Sequence, residues 1–403
     1  MKVLANITEY NPFHNGHKYH LQEAKRQSNA THTMVLMSGH VVQRGEFAIL
    51  DKWQRAKLAL QNEADLVVEL PYVFSGQNAE IFGSGAVSIL DATKTCHTLS
   101  FGAEAGHNPQ LMEIAQFLSN EPQNYKDLLR LFLNQGISFA QARSLSIGKL
   151  LGNEASFILS QPNNILAIEY LKALHHCDSQ ITPLAIKRKG AGYHSQNPVE
   201  EFASASYLRH TLTVDHAHPI QSYLPYSTKN FSKKIWLLQR KNYELAVFSK
   251  LLSCSPEKLR QLPDMEDGLE FRLKTMVKTH HNLGQLIQAT SSKRITKSRI
   301  QRILMHLVME YFDKDQLEFK PFGFTPYLRV LGFNSKGQEI LRAISKNSDM
   351  PIITNVRSNQ TRLDKTAFDA LNLDIKATNL FYLLRGQSES IQCDYQKHPI
   401  KLT

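Results

Sequence analysis

Thr8-Glu9-Tyr10-Asn11-Pro12-Phe13-His14-Asn15-Gly16-His17 leaves a short strand-like run, Val3 to Thr8, turns at Asn11-Pro12 and enters a helical pattern at about Gly16. Strand, turn and helix in that order open a parallel α/β sheet, whose ligands sit beyond the carboxyl ends of its strands. The helix start adds free backbone N–H groups and the positive end of a dipole, both suited to phosphate. Gly16 lets a nucleotide approach the backbone where a Cβ would intrude. His14 and His17, three apart, then aim N–H donors at phosphate oxygens. Donors fixed where charge builds up during attack on an α-phosphate stabilise the transition state more than the ground state, each by about 3 kcal/mol. Two blander readings stand beside this one: a metal cluster of His14, His17 and His20, or a polar turn. No carboxylate or cysteine at ligand spacing supports a metal, so no metal ligand is assigned.

Outward from that stretch, Thr33 to Ser38, Asp65 to Leu70 and Thr98 to Gly102 read as further strands. Between them, Gly16 to Arg26, Lys52 to Asn62 and Asn78 to Leu90 carry apolar spacing near 3.6. The pattern from Pro109 to His176 is mainly helical, and Thr182 to Lys187 is a strand feeding a helix over Ser204 to Leu212. The expected fold is α/β: an N-terminal doubly wound, Rossmann-like parallel-sheet domain with a mostly helical, basic C-terminal domain. Segment 214–230 holds two prolines and several turn formers, which puts the boundary there. Residues 1–215 are then the catalytic domain and residues 216–403 the basic one. Beyond the boundary, Phe231 to Leu252, Asp267 to Lys278 and Lys297 to Phe312 read as helices. A strand-like run at Tyr327 to Phe333, a helix over Gly337 to Lys346 and the short run Pro351 to Thr354 follow.

The chain has 403 residues, 42% of them hydrophobic, enough for two buried cores. Its 47 Lys plus Arg against 36 Asp plus Glu conceal an asymmetry. Residues 1–215 carry 18 basic and 19 acidic side chains, net −1, while residues 216–403 carry 29 and 17, net +12. A cationic excess confined to one half points to a polyanion, and nucleic acid is the leading partner. Cys96, Cys177, Cys254 and Cys393 lie far apart without metal spacing, as in a reduced cytosolic protein. No basic segment followed by an apolar one opens the chain, and no uncharged apolar run approaches the roughly 20 residues of a membrane span. The expected protein is cytoplasmic and has no membrane partner.

The strings TEYNPFHNGHKYHL, MSGHVVQRGEFAILDKWQRAKLAL, ADLVVELPYVFSGQNAEIFGSGAVSIL, FGAE, QPNNILAIEYLKAL, IKRKGAGYHS and SASYLR resemble the bacterial tRNA(Met) cytidine acetate ligase family, of the HxGH nucleotidyltransferase-like superfamily. The resemblance runs along most of the first domain and continues more thinly to the end. It implies ATP-dependent activation of acetate to acetyl-adenylate, with release of pyrophosphate. The acetyl group then passes to N4 of the wobble cytidine, C34, in the anticodon loop of elongator tRNA(Met), giving N4-acetylcytidine. His14 and His17 become the catalytic residues, and Mg²⁺ accompanies ATP.

The same resemblance places ATP contacts on Ile7, Thr8, Glu9, Tyr10, Asn11, Pro12, Phe13, His14, Asn15, Gly16, His17, Lys18, Tyr19 and His20, and again on Gly102, Asn163, Asn164 and Arg188. Chemistry agrees: Gly102 ends a strand, the asparagines follow Pro162 at a helix start, and the Arg188 fork suits phosphate oxygens. Turn glycine, N-cap and solvated arginine are the ordinary alternatives. Ser204-Ala205-Ser206-Tyr207-Leu208-Arg209 resembles the hydroxyl-rich, Arg-ended motif that nucleotidyltransferases place on the β- and γ-phosphates, so Ser204, Ser206 and Arg209 join the site. Ser204 alone would also serve as an N-cap. The loop Gln43-Arg44-Gly45 closes over ATP or meets RNA. Asp51, Lys52, Arg55 and Lys57 read instead as an ordinary charged helix start and face; Glu69 and Glu80 could serve as acid or base groups, but unpaired acids at strand and helix ends are usually structural, and neither is assigned to the site.

In the basic half, Lys293, Arg294, Lys297, Arg299 and Arg302 form the candidate RNA-binding set, with Arg299, Arg302 and His306 on one stripe beside the apolar face of Ile300, Ile303, Leu304, Leu307 and Val308. Two other functions share part of this pattern. A small-molecule adenylyltransferase would share the ATP features without needing a basic second domain. An RNA-binding protein with a vestigial nucleotide site would not need both His14 and His17.

Overall fold

The computed structural model describes residues 1–106, 109–189, 201–213, 220–228, 231–322 and 324–402. Five apolar runs form adjacent strands: β1 (Val3–Thr8), β2 (His32–Ser38), β3 (Leu66–Leu70), β4 (Cys96–Ala103) and β5 (Thr182–Lys187). The helices between them include α1 (Asn15–Ser28), α2 (Lys52–Leu60), α3 (Ala79–Ala92) and α4 (Pro162–His176). The pairings β3–β2, β2–β1, β1–β4 and β4–β5 are all parallel, as the alternating pattern requires.

The sheet is covered on both faces, which explains why its central strands are mostly apolar and buried along their length. In β2, Met34 and Leu36 belong to one core cluster with Val3, Ala5, Phe82 and Ala86, while Val35 and Met37 belong to another with Phe13, Trp53, Ala56 and Leu60. The period of two distributes successive side chains to opposite layers.

Three strands enter from the far end of the chain. β6 (Leu328–Phe333) pairs antiparallel with β3; β7 (Ile352–Ile353) and β8 (Ile400–Lys401) each pair parallel with β6. The order is therefore β8-β6-β3-β2-β1-β4-β5, with β7 also on β6. β6 covers an edge of β3 that would otherwise leave buried ladder groups unpaired. The sheet thus takes strands from before and after residue 215, a boundary position that lies outside the described residues, as do the Gly190 to Ser195 part of IKRKGAGYHS and much of 214–230. The rest of the second half is mainly helical, and its helices include α5 (Lys233–Ser253), α6 (Lys297–Met309) and α7 (Lys365–Leu384). Among the described residues no helix is long and apolar enough to cross a membrane.

Lys52 and Arg55, legible as a charged helix face, are instead fully buried. Lys52 Nζ lies 2.8 Å from Glu69 and 3.0 Å from Asp394, and Arg329 meets the same Asp394 carboxylate at 2.9 Å. Burial pushes the Lys52 pKa down, but the Asp394 and Glu69 carboxylates more than reverse it. Arg55 donates to the carbonyls of Glu9 at 2.7 Å, Ser38 at 3.0 Å and Leu50 at 3.1 Å, and also to that of Gly39. One guanidinium thereby ties together the chain leaving β1 and the chain leaving β2, where the candidate site opens.

Candidate active site

His14 is the N-cap of α1, with extended backbone (φ −146°), and its N–H donates to Nδ1 of His17 at 3.3 Å. That bond fixes a tautomer: with Nδ1 accepting, the His17 proton sits on Nε2. The two imidazoles stack at a centroid separation of 3.7 Å, and Tyr10 meets His17 edge-on at 4.9 Å. A Cβ on Gly16 would lie 2.9 Å from His14 Cε1, so glycine is needed here first for the histidine ring. One turn further on, His20 Nε2 lies 2.9 Å from Ser100 Oγ, which donates to Asn6 Oδ1 at 2.5 Å. Asn6 and Ser100 are register partners on β1 and β4.

All three histidines are held neutral. Burial, then Arg188 and Arg209, lowers the His14 pKa to about 3; burial, then Arg188, lowers that of His20 to about 4. His17 is lowered well below its usual value by burial, by His14 and by Arg188. They act as uncharged hydrogen-bonding groups, and the fixed positive charge comes from arginine.

These groups line a cavity of about 240 Å³ beyond the carboxyl ends of β1 and β4. Of the residues expected there, Ile7, Thr8, Glu9, Tyr10, Asn11, His14, Gly16, His17, Tyr19, His20, Gly102, Asn163, Arg188, Ser204, Ser206 and Arg209 line it. Pro12, Phe13, Asn15, Lys18 and Asn164 do not. Phe13 is core, Asn15 donates to the carbonyls of Glu201 and Ser222, and Asn164 is buried beneath the helix start. At Gly102 a Cβ would stand 3.4 Å from Arg188 Cγ and 3.7 Å from His20 Nδ1, filling the gap between them. Arg209 donates to the Asn11 carbonyl at 2.7 Å and pairs with Glu46 at 3.3 Å. Ser204 accepts from Tyr207 N–H at 3.1 Å and so caps its helix. Among the described residues Asn6 Nδ2 and Asn11 Nδ2 are buried polar atoms without a hydrogen-bond partner, an arrangement a polar ligand would satisfy.

The family model described as "HIGH Nucleotidyl Transferase" matches residues 1–396. A Thermoanaerobacter sp. (strain X514) protein named tRNA(Met) cytidine acetate ligase is 42% identical, with both chains fully covered. One of the same name from Halothermothrix orenii is 37% identical over 95% of each chain. The chain belongs to the HIGH nucleotidyl transferase family, and within it to the tRNA(Met) cytidine acetate ligase family. As a member, it also matches solved structures over their full length: Thermotoga maritima TmcAL in its apo form (TM-score 0.92, 32% identity), and the same protein bound with alpha-thio ATP (TM-score 0.90, 31% identity), each covering all of this chain.

The cavity also holds residues not expected from the sequence, among them Asn6, Ser100, Tyr170 and Lys189. Asn6 and Ser100 had a signal: each is a polar residue inside an apolar strand run. Gln43 and Arg44 line the cavity as well, and Gln43 N–H donates to Glu9 Oε1 at 2.8 Å. Burial raises the Glu9 pKa, with the Gln43 bond and Arg209 opposing it. Among the described residues no group of three or more His, Cys, Asp or Glu is placed to hold a metal ion.

The basic set lies elsewhere, at and before the start of α6. Lys293, Arg294 and Lys297 are exposed. Arg294 and Arg299 pair with Glu266 at 2.9 and 3.3 Å, and Arg302 with Asp264 at 3.0 Å. His306 is not on the stripe: it is fully buried, within 2.8 Å of Tyr72 Oη. Gly45 joins the two regions. Its φ is +72°, and a Cβ there would come within 2.5 Å of Arg302 N, so the Gln43-Arg44-Gly45 turn lies against α6.

Proposed function

We propose that the chain activates acetate with ATP and transfers the acetyl group to N4 of the wobble cytidine of elongator tRNA(Met), making it an ATP-dependent carbon–nitrogen ligase. The observation that carries this is the pairing of His14 and His17 at the N-terminus of α1, with Arg188 lining the same cavity and close enough to lower the pKa of both. The full-length relatives bear the name of that activity.

A carboxylate is a poor electrophile. Attack of an acetate oxygen on the α-phosphorus forms the mixed anhydride and releases pyrophosphate; attack of the cytidine amine on its carbonyl forms the amide and releases AMP and a proton. In the first step His17 Nε2–H and the first-turn N–H groups of α1 face the charge that grows on the α-phosphate. Arg188, Arg209 and Ser206 hold the remaining phosphates. Glu9 is the single carboxylate among the cavity's described residues, so Mg²⁺ enters as part of the ATP complex. The second step depends on holding amine and anhydride in attack geometry.

For the RNA we propose contacts at Lys293, Arg294, Lys297, Arg299 and Arg302. The turn at Gly45 supports that choice, because it brings α6 against the cavity wall and shortens the path from phosphate contacts to the anhydride. The small-molecule adenylyltransferase reading has no use for that arrangement. The deciding assay is exchange of labelled pyrophosphate into ATP. It should require acetate and no phosphorylated coenzyme precursor, and adding elongator tRNA(Met) should yield N4-acetylcytidine at position 34. Exchange that needs a phosphorylated small molecule, or acetylation from acetyl-CoA without ATP, would overturn the reading.

A further inference from the structure

Glu104 follows β4 and does not line the cavity, yet Asn163, which does, and its neighbour Asn164 are both fastened to it. Its Oε1 accepts from Asn163 Nδ2 at 2.5 Å and from Asn163 N–H at 3.4 Å; its Oε2 accepts from Asn164 N–H at 3.0 Å. Helix α4 gives the reason. Its N-cap, Gln161, makes no side-chain cap and Pro162 has no N–H, so the first-turn donors of Asn163 and Asn164 are left for a carboxylate from another element. Asn164 completes the join: its Oδ1 accepts from Ala105 N–H at 3.2 Å and its Nδ2 donates to the Ile158 carbonyl at 3.1 Å.

The carboxylate also orients the Asn163 amide. With Nδ2 committed to Glu104, Oδ1 must point the other way, and there it accepts from Arg188 NH1 at 3.4 Å. Arg188 in turn stands beside Gly102 and His20. A chain of hydrogen bonds therefore runs from Glu104 through Asn163 to the guanidinium that faces the histidines. Resting on the ATP reading of the cavity, we propose that Glu104 is the positioning residue that sets Asn163 and Arg188 for ATP. It touches no reacting atom; it acts by fixing the rotamers of two groups that do contact the nucleotide.

The test measures ATP binding to the full chain by calorimetry, without acetate or tRNA. Glu104→Gln keeps a cap oxygen for Asn164 but presents an amide N–H₂ to the Asn163 N–H₂; ATP affinity should fall about tenfold, the lower end of what loss of an orienting partner costs. In pyrophosphate exchange the KM for ATP should rise by more than kcat falls, with the melting temperature nearly unchanged. Asn163→Asp alone sets carboxylate against carboxylate and should weaken binding further. The double variant, Glu104→Gln with Asn163→Asp, keeps the original net charge and exchanges donor for acceptor. The amide introduced at position 104 donates to the carboxylate introduced at position 163, whose other oxygen accepts from Arg188, so affinity should recover relative to Asn163→Asp. A helix cap without this role would give additive losses. Original affinity in Glu104→Gln, or additive losses in the double variant, would overturn the assignment while leaving the ATP reading intact. Failure of the unaltered protein to bind ATP would overturn both.

Discussion

The His17 tautomer follows from one backbone hydrogen bond, and it decides what that residue can do. With Nδ1 accepting from His14 N–H, Nε2 is a donor whatever the neighbouring histidines do. His17→Ala should lower acetate-dependent pyrophosphate exchange by roughly 10² to 10³, the cost of one fixed donor to a developing oxyanion. tRNA affinity should change little, and equal loss of both in a folded variant would refute the role. The lowered pKa values give a second, independent expectation. With His14 near 3 and His20 near 4, folded, against about 6.5 unfolded, the unfolded chain binds more protons throughout the interval. Stability from these groups is complete above about pH 6.5 and declines as the pH falls, down to about 4 for His20 and about 3 for His14. Exchange measured on folded protein should show no acid limb near 6.5 from these residues. A limb there that disappears in His20→Asn would mean that the ring works as an imidazolium. Neutral histidines could not be foreseen from spacing, because burial and the Arg188 charge come from elements far apart in the chain.

Elements show where sequence reasoning reaches and where it stops. β1, α1 and the turn between them were legible because strand period, helix period and the Asn-Pro signal are all local. Lys52 and Arg55 were not: their positions fit a solvated helix face equally well, and it is Glu69 on β3, Asp394 more than three hundred residues away, and carbonyls at two strand ends that make them interior. His306 misled for the same reason, since its partner is the hydroxyl of Tyr72 on another element. The Gln43-Arg44-Gly45 turn offered two uses and turns out to border both the cavity and α6. That contact is open to measurement. Gly45 and Gly136 have nearly equal φ, +72° and +76°, but a Cβ on Gly136 would meet nothing within 4 Å. Both alanine variants bear the left-handed strain; Gly45→Ala adds a clash with the Arg302 backbone and should cost a further 1–3 kcal/mol or so in unfolding free energy. Equal losses would mean that the turn does not bear on α6.

At the scale of the whole molecule, the expected α/β class is what the chain adopts, but the sheet is completed by β6, whose partner β3 no local pattern could name. The charge asymmetry was legible from counting, whereas which cations are open to a ligand was not. Arg299 and Arg302 are held by Glu266 and Asp264, so a phosphate must compete with carboxylates for them, while Lys293 and Lys297 are exposed. If the RNA lies across the start of α6, the lysines should release most of the counterions. Replacing both lysines with Ala should weaken tRNA binding and make the slope of log K against log salt less negative by about 0.7 per contact to a single-stranded region, or about 0.9 on a duplex stem. Arg299→Ala with Arg302→Ala should change the slope less, because each arginine exchanges one anionic partner for another on binding. Phosphate contacts carry no base identity, so unrelated tRNAs should lose affinity alongside elongator tRNA(Met). Titrations at several salt concentrations separate the outcomes: a larger slope change from the arginine pair would place the phosphates on the ion-paired side of α6, and unchanged slopes in both variants would remove this face from the RNA interface.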